Sequence, residues 1–190
     1  MYRNKAAFID RDGVINYDYG YVHKWKDFLF CKGVFEGLRI INDLGYKIII
    51  ITNQSGIDRG LYSEKDFQKL TSKMKKVLEE RSIKITAIYH CPHHPIFSKD
   101  EFKNCNCRKP KPGLFLKASK EFNISMNKSF SIGDNERDLI AAKLAGIEKT
   151  YLISDKKDKF NSNLAMGSYK SLLEFANAIK IDALNRKHIK

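Results

Sequence analysis

Apolar residues follow two alternating rhythms along this chain. Short unbroken runs, Ala6-Ala7-Phe8-Ile9 and Ile48-Ile49-Ile50-Ile51, have the length and branching of strands covered on both faces. Between them Val34, Leu38, Ile41 and Leu44 recur at helical spacing. The same contrast predicts strands over 5–10, 46–52, 84–91, 128–134 and 149–154. It predicts helices over 33–45, from Ser63 to Glu80, from Pro112 to Phe122, over 136–146 and over 168–180. Gly45 and Gly146 end two of these helices, and Ser63 with Asp66 forms a capping box at the start of another. Pro112 suits a first helical turn.

Strands that alternate with helices make an open, mostly parallel α/β sheet with helices on both faces, a Rossmann-like arrangement. A chain of 190 residues has room for one such domain and a core that needs no disulfide staples. The expected layout is a single domain over 1–190. A Cys- and His-bearing loop is inserted at 91–107, and a basic, loosely ordered tail occupies 180–190.

Composition narrows the class. Hydrophobic residues are 43% and charged residues 30%, as in globular proteins. No apolar run approaches the length of a membrane span, and the N-terminal stretch lacks a secretory apolar segment, so the expected location is the cytoplasm and no membrane partner is expected. The net charge of +13 is compatible with nucleic acid, anionic surfaces or phosphorylated small molecules. The excess is spread, with clusters at Lys73-Lys75-Lys76, Lys109-Lys111, Lys156-Lys157-Lys159 and the tail, which fits a solvated surface and does not require a nucleic-acid partner.

Ligands of open α/β sheets bind beyond the carboxyl ends of the strands. The unusual residues of this chain fall there. Asp10 and Asp12 follow the first strand, with Gly13 easing a turn; Thr52 ends the second; Asp134 follows Gly133, and Asp138 lies one helical turn further. Carboxylates converging on one crevice need a cation, and hard oxygen donors favour Mg²⁺. Thr52, the Asn53-Gln54-Ser55-Gly56 segment, Arg108 and Lys109 supply donors and positive charge for an anion. Phosphoryl transfer needs these parts, because it is largely positioning and charge neutralisation. Singly, each has an ordinary reading as turn former, helix cap or surface charge.

Cys91, His93, Cys105 and Cys107 form C-x-H-x11-C-x-C, a donor set for a closed tetrahedral Zn²⁺ site, with His94 as a competing ligand. Such a site would order a long loop poor in apolar residues and carry Arg108 and Lys109 to the strand ends. Cys31 stands apart as a small core residue.

The segments DRDGV, TNQSG, RKPKPG and GDNERD together resemble the haloacid dehalogenase-like phosphatases, over roughly residues 5 to 155. DRDGVIN-x-D-x-GYV, TNQSGI-x-RG and the Cys/His loop resemble the capless subgroup that holds heptose-1,7-bisphosphate 7-phosphatases and histidinol-phosphate phosphatases. The resemblance implies a Mg²⁺-dependent phosphomonoester hydrolase with Asp10 as nucleophile and Asp12 as general acid and base. Thr52 and Lys109 would hold the phosphoryl group. Mg²⁺ would sit on Asp10, the backbone carbonyl of Asp12 and Asp134, with Asp138 behind these ligands or acting through water. Zn²⁺ would sit on Cys91, His93, Cys105 and Cys107.

Asp18, Tyr19, Gly20, Tyr21, Asn53, Gln54, Ser55, Arg108 and Asn135 would meet the rest of the substrate. At Asn135 the heptose enzymes often carry a Lys. The eleven-residue gap in the Cys/His loop resembles that of the heptose enzymes, which points to a phosphorylated sugar: removal of the 7-phosphate in the making of nucleotide-activated heptose for lipopolysaccharide, capsule or S-layer glycan. Histidinol phosphate, a nucleic-acid 3′-phosphate, or phosphate binding without catalysis are the alternatives. The chain is expected to act as a monomer.

Overall fold

The computed structural model describes residues 3–154 and 162–188, the side chains of 186–188 excepted. The Lys156-Lys157-Lys159 cluster and the last two residues of the tail lie outside the described residues. Six strands form one sheet: β1 (Ala6–Ile9), β2 (Lys47–Asn53), β3 (Ile85–Cys91), β4 (Phe130–Gly133), β5 (Lys149–Ile153) and β6 (Gly167–Tyr169), in the order β3-β2-β1-β4-β5-β6 and parallel throughout. The helices are α1 (Val34–Asp43), α2 (Glu64–Glu79), the short α3 (Asp100–Lys103), α4 (Gly113–Phe122), α5 (Glu136–Leu144) and α6 (Leu172–His188).

The unbroken apolar runs have a direct structural cause. Successive strand side chains point to opposite faces, so the run in β1 and β2 is divided between two cores. Ala7, Ile9, Ile48 and Ile50 pack with Val34, Leu38 and Ile41 of α1, Leu70 and Met74 of α2, and Phe175 of α6. Ala6, Phe8, Ile49 and Ile51 pack on the other face with Leu114 and Phe115 of α4 and Ala141 and Ala142 of α5. Each isoleucine buried this way contributes roughly 1.5–3 kcal/mol. Cys31 packs, half-buried, against the first of these cores.

The chain builds β1, β2 and β3 outward in one direction, then returns to lay β4, β5 and β6 on the other side of β1. The strand order therefore reverses between β1 and β4. A crevice at such a reversal is the usual ligand site of an open α/β sheet, and the residues that leave the carboxyl ends of β1 and β4 are Asp10 and Asp134.

Three elements differ from expectation. β6 occupies Gly167–Tyr169 where the start of the last helix was expected; three residues with a glycine and a serine carry no strand rhythm. The helix α3 inside the Cys/His loop is a four-residue turn, below the reach of periodicity. The tail read as loosely ordered is helical to His188, since from Leu172 onward there is no Gly or Pro to stop α6.

Candidate active site

Asp10 emerges from β1 nearly buried, and its backbone N–H donates to Ile132 O of β4 at 3.0 Å. Its Oδ1 accepts the Arg11 backbone N–H at 2.8 Å and meets Lys109 Nζ at 2.9 Å. Oδ2 has no hydrogen bond among the described residues. Lys109 Nζ also reaches Asp138 Oδ1 at 2.7 Å and donates to Ile51 O at 2.7 Å. One buried ammonium thus ties together β1, the end of β2 and the first turn of α5.

The carboxylates of Asp10, Asp134 and Asp138 bring oxygens within 4.8 Å of one another. Two glycines permit this approach. A Cβ on Gly13, whose φ is +83°, would overlap the Asp134 carboxylate, and one on Gly133 would overlap Asp138. Burial, opposed by Lys109 and reinforced by Asp138, Asp134 and Asp12, pushes the Asp10 carboxyl up to about 8. Burial alone would lower Lys109, yet Asp10 and Asp138 hold it above the usual lysine range, so it stays an ammonium. Three hard-oxygen groups facing one fixed cation leave negative charge over, which is the donor set that suits Mg²⁺.

Asp12 points elsewhere. Its Oδ1 accepts from Arg11 Nη2 at 2.8 Å and Asn16 Nδ2 at 3.0 Å; its Oδ2 accepts from Gln54 Nε2 at 2.9 Å, with Thr52 Oγ1 at 3.5 Å. Its carboxylate is outside the three-acid group, which is compatible with the backbone-carbonyl contact expected for it. Asp138 has both oxygens engaged, one by Lys109 and the other by the Asn135 N–H at 3.1 Å. That engagement suits a place behind the ion's direct ligands.

A cavity of about 410 Å³ opens above these groups. Asp10, Asp12, Thr52, Asn53, Gln54, Ser55, Asp18, Gly20, Tyr21 and Arg108 all line it. Tyr19 does not; it is well exposed and lines a neighbouring cavity of about 600 Å³ that Asp18 and Asp134 also border. Asn135 is not among the lining residues either: its side chain accepts the Arg137 N–H at 3.3 Å and caps α5. Asn53 and Gln54 border the cavity with their amides already engaged. Asn53 binds the Lys109 backbone twice, and Gln54 binds Asp12, Thr52 (2.8 Å) and the Tyr62 hydroxyl (2.6 Å).

The structure adds four lining residues that the sequence reading did not single out: Arg11, Arg59, Tyr62 and Arg137. Arg11 is buried and anchors Asp12 while donating to Val22 O at 3.0 Å. Arg59 Nη2 faces His94 Nε2 at 2.7 Å and its guanidinium lies over Phe97. The position of Arg11 between the two acids was the available signal; Arg59 and Arg137 lie within the TNQSGI-x-RG and GDNERD segments, where no role was assigned to them.

Cys91, His93, Cys105 and Cys107 bring their ligand atoms within 4.8 Å of one another. Cys107 Sγ lies 2.8 Å from Cys91 Sγ, 3.4 Å from Cys105 Sγ and 3.3 Å from His93 Nδ1. All four cysteines of the chain are free thiols. Shared hydrogen bonding with Cys91 is the largest influence drawing the Cys107 thiol down to about 5 and raising Cys91. His93, not the competing His94, joins the cluster, and His94 is turned toward Arg59. Arg108, directly after the cluster, donates to His93 O at 3.1 Å. Three sulfurs and an imidazole packed this closely fit Zn²⁺.

Residues 8–177 match the family described as polynucleotide kinase 3 phosphatase. The chain belongs to this haloacid dehalogenase-like phosphatase family. It is 40% identical over 179 residues to the D-glycero-beta-D-manno-heptose-1,7-bisphosphate 7-phosphatase of Haemophilus ducreyi, covering 91% of this chain and 98% of that protein. It is 44% identical over 173 residues to the D-glycero-alpha-D-manno-heptose-1,7-bisphosphate 7-phosphatase of Campylobacter jejuni, covering 91% and 96%. Among solved structures, the D,D-heptose 1,7-bisphosphate phosphatase from B. bronchiseptica, complexed with magnesium and phosphate, superposes with a TM-score of 0.83 at 26% identity, over 94% of this chain and 99% of that one. The chain thus spans nearly the whole of these phosphatases. No helix among the described residues is long and apolar enough to cross a membrane.

Proposed function

We propose that this phosphatase removes the 7-phosphate of D-glycero-D-manno-heptose 1,7-bisphosphate and leaves the anomeric phosphate for nucleotide activation. One observation carries the reading. A buried carboxylate–ammonium centre opens onto a cavity lined by Arg59, Arg108 and Arg137, so a hydrolytic end adjoins a place for a second anion. The heptose bisphosphate phosphatases that the chain resembles at 40–47% identity support the same substrate.

The mechanism follows from the residues. Asp10 Oδ1 is held by Arg11 N–H and Lys109, which fixes the carboxylate plane and leaves Oδ2 for attack on phosphorus. The bond from phosphorus to the sugar oxygen breaks, and that oxygen takes its proton from Asp12. An aspartyl-phosphate results. Water then attacks its phosphorus, Asp12 takes the water's proton, and inorganic phosphate departs with Asp10 restored. Thr52 and Lys109 border the transferring group, and Lys109 offsets its charge. Mg²⁺, bound by Asp10, Asp134 and the Asp12 backbone carbonyl, would supply further positive charge beside the phosphoryl oxygens.

The Cys91-His93-Cys105-Cys107 cluster would hold Zn²⁺ structurally, fixing the segment that carries Arg108 and Lys109. A monomer is the catalytic unit in this reading, and the phosphorylated-sugar chemistry suits the cytoplasm. Turnover of α- and β-anomeric heptose bisphosphate, histidinol phosphate and a 3′-phosphorylated oligonucleotide, side by side with Mg²⁺, tests the reading. Preferred turnover of a heptose bisphosphate is expected. Preference for histidinol phosphate or for the oligonucleotide overturns the substrate, and no phosphate release from any of them overturns the activity.

A further inference from the structure

At the opposite end of the sheet, each of five neighbouring strands has a lysine at its first residue or within two residues before it. Lys84 precedes β3, Lys47 opens β2, Lys5 precedes β1, Lys128 lies two residues before β4, and Lys149 opens β5. In sheet order they run 84, 47, 5, 128, 149. Adjacent strands are about 4.8 Å apart, so the row extends about 19 Å across the edge. Four of these lysines, with Arg3, line a cavity of about 530 Å³ in which Asp43 is the single acidic lining residue.

Among the described residues, none of these lysines nor Arg3 forms an ion pair. Lys5 sits with Nζ 4.1 Å from the Tyr46 ring centroid, and partial burial together with Lys149 lowers its pKa. Like charges set close together without partners cost free energy unless an anion spans them. Lys5 and Asp10 are five residues apart along β1, about 16 Å, so this anion is distinct from the substrate at the carboxyl ends.

We propose that this row binds a linear phosphate chain. The spacing suits an extended polyanion rather than one phosphate. The walls also argue against a nucleic-acid strand, whose sequence-tolerant binding uses exposed aromatic platforms. Tyr46 is the one aromatic lining residue, and its ring is covered by Lys5 and packs on Phe130 at 4.7 Å.

The test is calorimetric titration of the full chain with short-chain inorganic polyphosphate across a salt series. The row variant is Lys84→Glu/Lys128→Glu, both exposed positions. Lys75→Glu/Lys76→Glu on α2 makes the same charge change away from the row. The row variant is expected to bind at least about tenfold more weakly, with a salt slope shallower by roughly 0.7 per lost contact. Turnover should stay at the wild-type level, which also certifies the fold, and the α2 variant should bind like wild type. Absent binding by the wild-type chain, an equal loss in the α2 variant, or tighter binding of a charge-matched oligonucleotide than of polyphosphate overturns the proposal. None of these outcomes touches the sugar-phosphatase reading, which is judged by turnover alone.

Discussion

Asn53 grips Lys109 at two points: Asn53 Nδ2 donates to Lys109 O at 3.1 Å, and the Lys109 N–H donates to Asn53 Oδ1 at 3.1 Å. The side chain at the end of β2 therefore sets the backbone from which the buried ammonium projects. Replacing Asn53 with Ala removes both bonds and lets Nζ drift from Asp10. A shift of about 1 Å costs up to about a hundredfold in rate. The expected result is a fall of about ten- to a hundredfold in kcat with a smaller change in KM. Asn53→Asp, which keeps the acceptor alone, should recover part of it. Steady-state kinetics on the three proteins checks the clamp.

Lys109→Met leaves Asp10, Asp134 and Asp138 facing one another without their cation. Breaking a buried ion pair from one side costs about 3–5 kcal/mol. Urea denaturation should show a loss of that order, partly regained on adding Mg²⁺, together with loss of turnover. A variant as stable as wild type without metal would refute the role of Lys109 as counter-charge.

Proton linkage at Asp10 has a definite sign. Between the ordinary carboxyl value of 3.8 and about 8, the metal-free native state holds a proton that the unfolded chain has released. The native state binds more protons, so metal-free stability falls as pH rises through this window. Mg²⁺ requires the carboxylate and expels the proton. Its affinity should therefore rise with pH and level off above about 8. Calorimetry in buffers of different ionisation enthalpy measures the proton released per ion bound, and zero release would contradict the buried, protonated Asp10.

Cys107→Ala removes the sulfur nearest the other three ligands. The variant should retain less zinc by elemental analysis, lose thermal stability, and turn over slowly because Lys109 lies two residues on. Normal turnover in a zinc-free variant would separate the cluster from catalysis.

Arg137→Ala should raise KM for a bisphosphate by about tenfold, the worth of one charge-assisted hydrogen bond. A simple monophosphate ester should be unaffected. Equal effects on both esters would mean that Arg137 does not meet the second phosphate.

The sheet was legible because its inner strands are continuous apolar runs and its helices carry a 3.6-residue rhythm. Acids at the ends of β1 and β4 and the Cys/His spacing marked the site, since those residue types sit where burial would otherwise exclude them. Other features depend on tertiary contacts. The engagement of Asn53 with Lys109 joins residues 56 apart in sequence, and no local pattern encodes it. Arg59 and Arg137 lie within sequence motifs, but their place at the cavity wall depends on tertiary contacts. β6 is too short and too polar to announce itself, and α6 outruns expectation because a charged tail and a charged helix have similar composition.

Asp138 closes the capping box of α5 with one carboxylate oxygen and grips Lys109 with the other. The opening turn of that helix and the charge balance at the reaction centre therefore cannot be disturbed separately. Fraying at Asn135 would loosen the ammonium, and a lost ammonium would loosen the turn. Amide exchange at Asp138, which a purely local helix end would leave fast, becomes a gauge of whether the catalytic machinery is assembled.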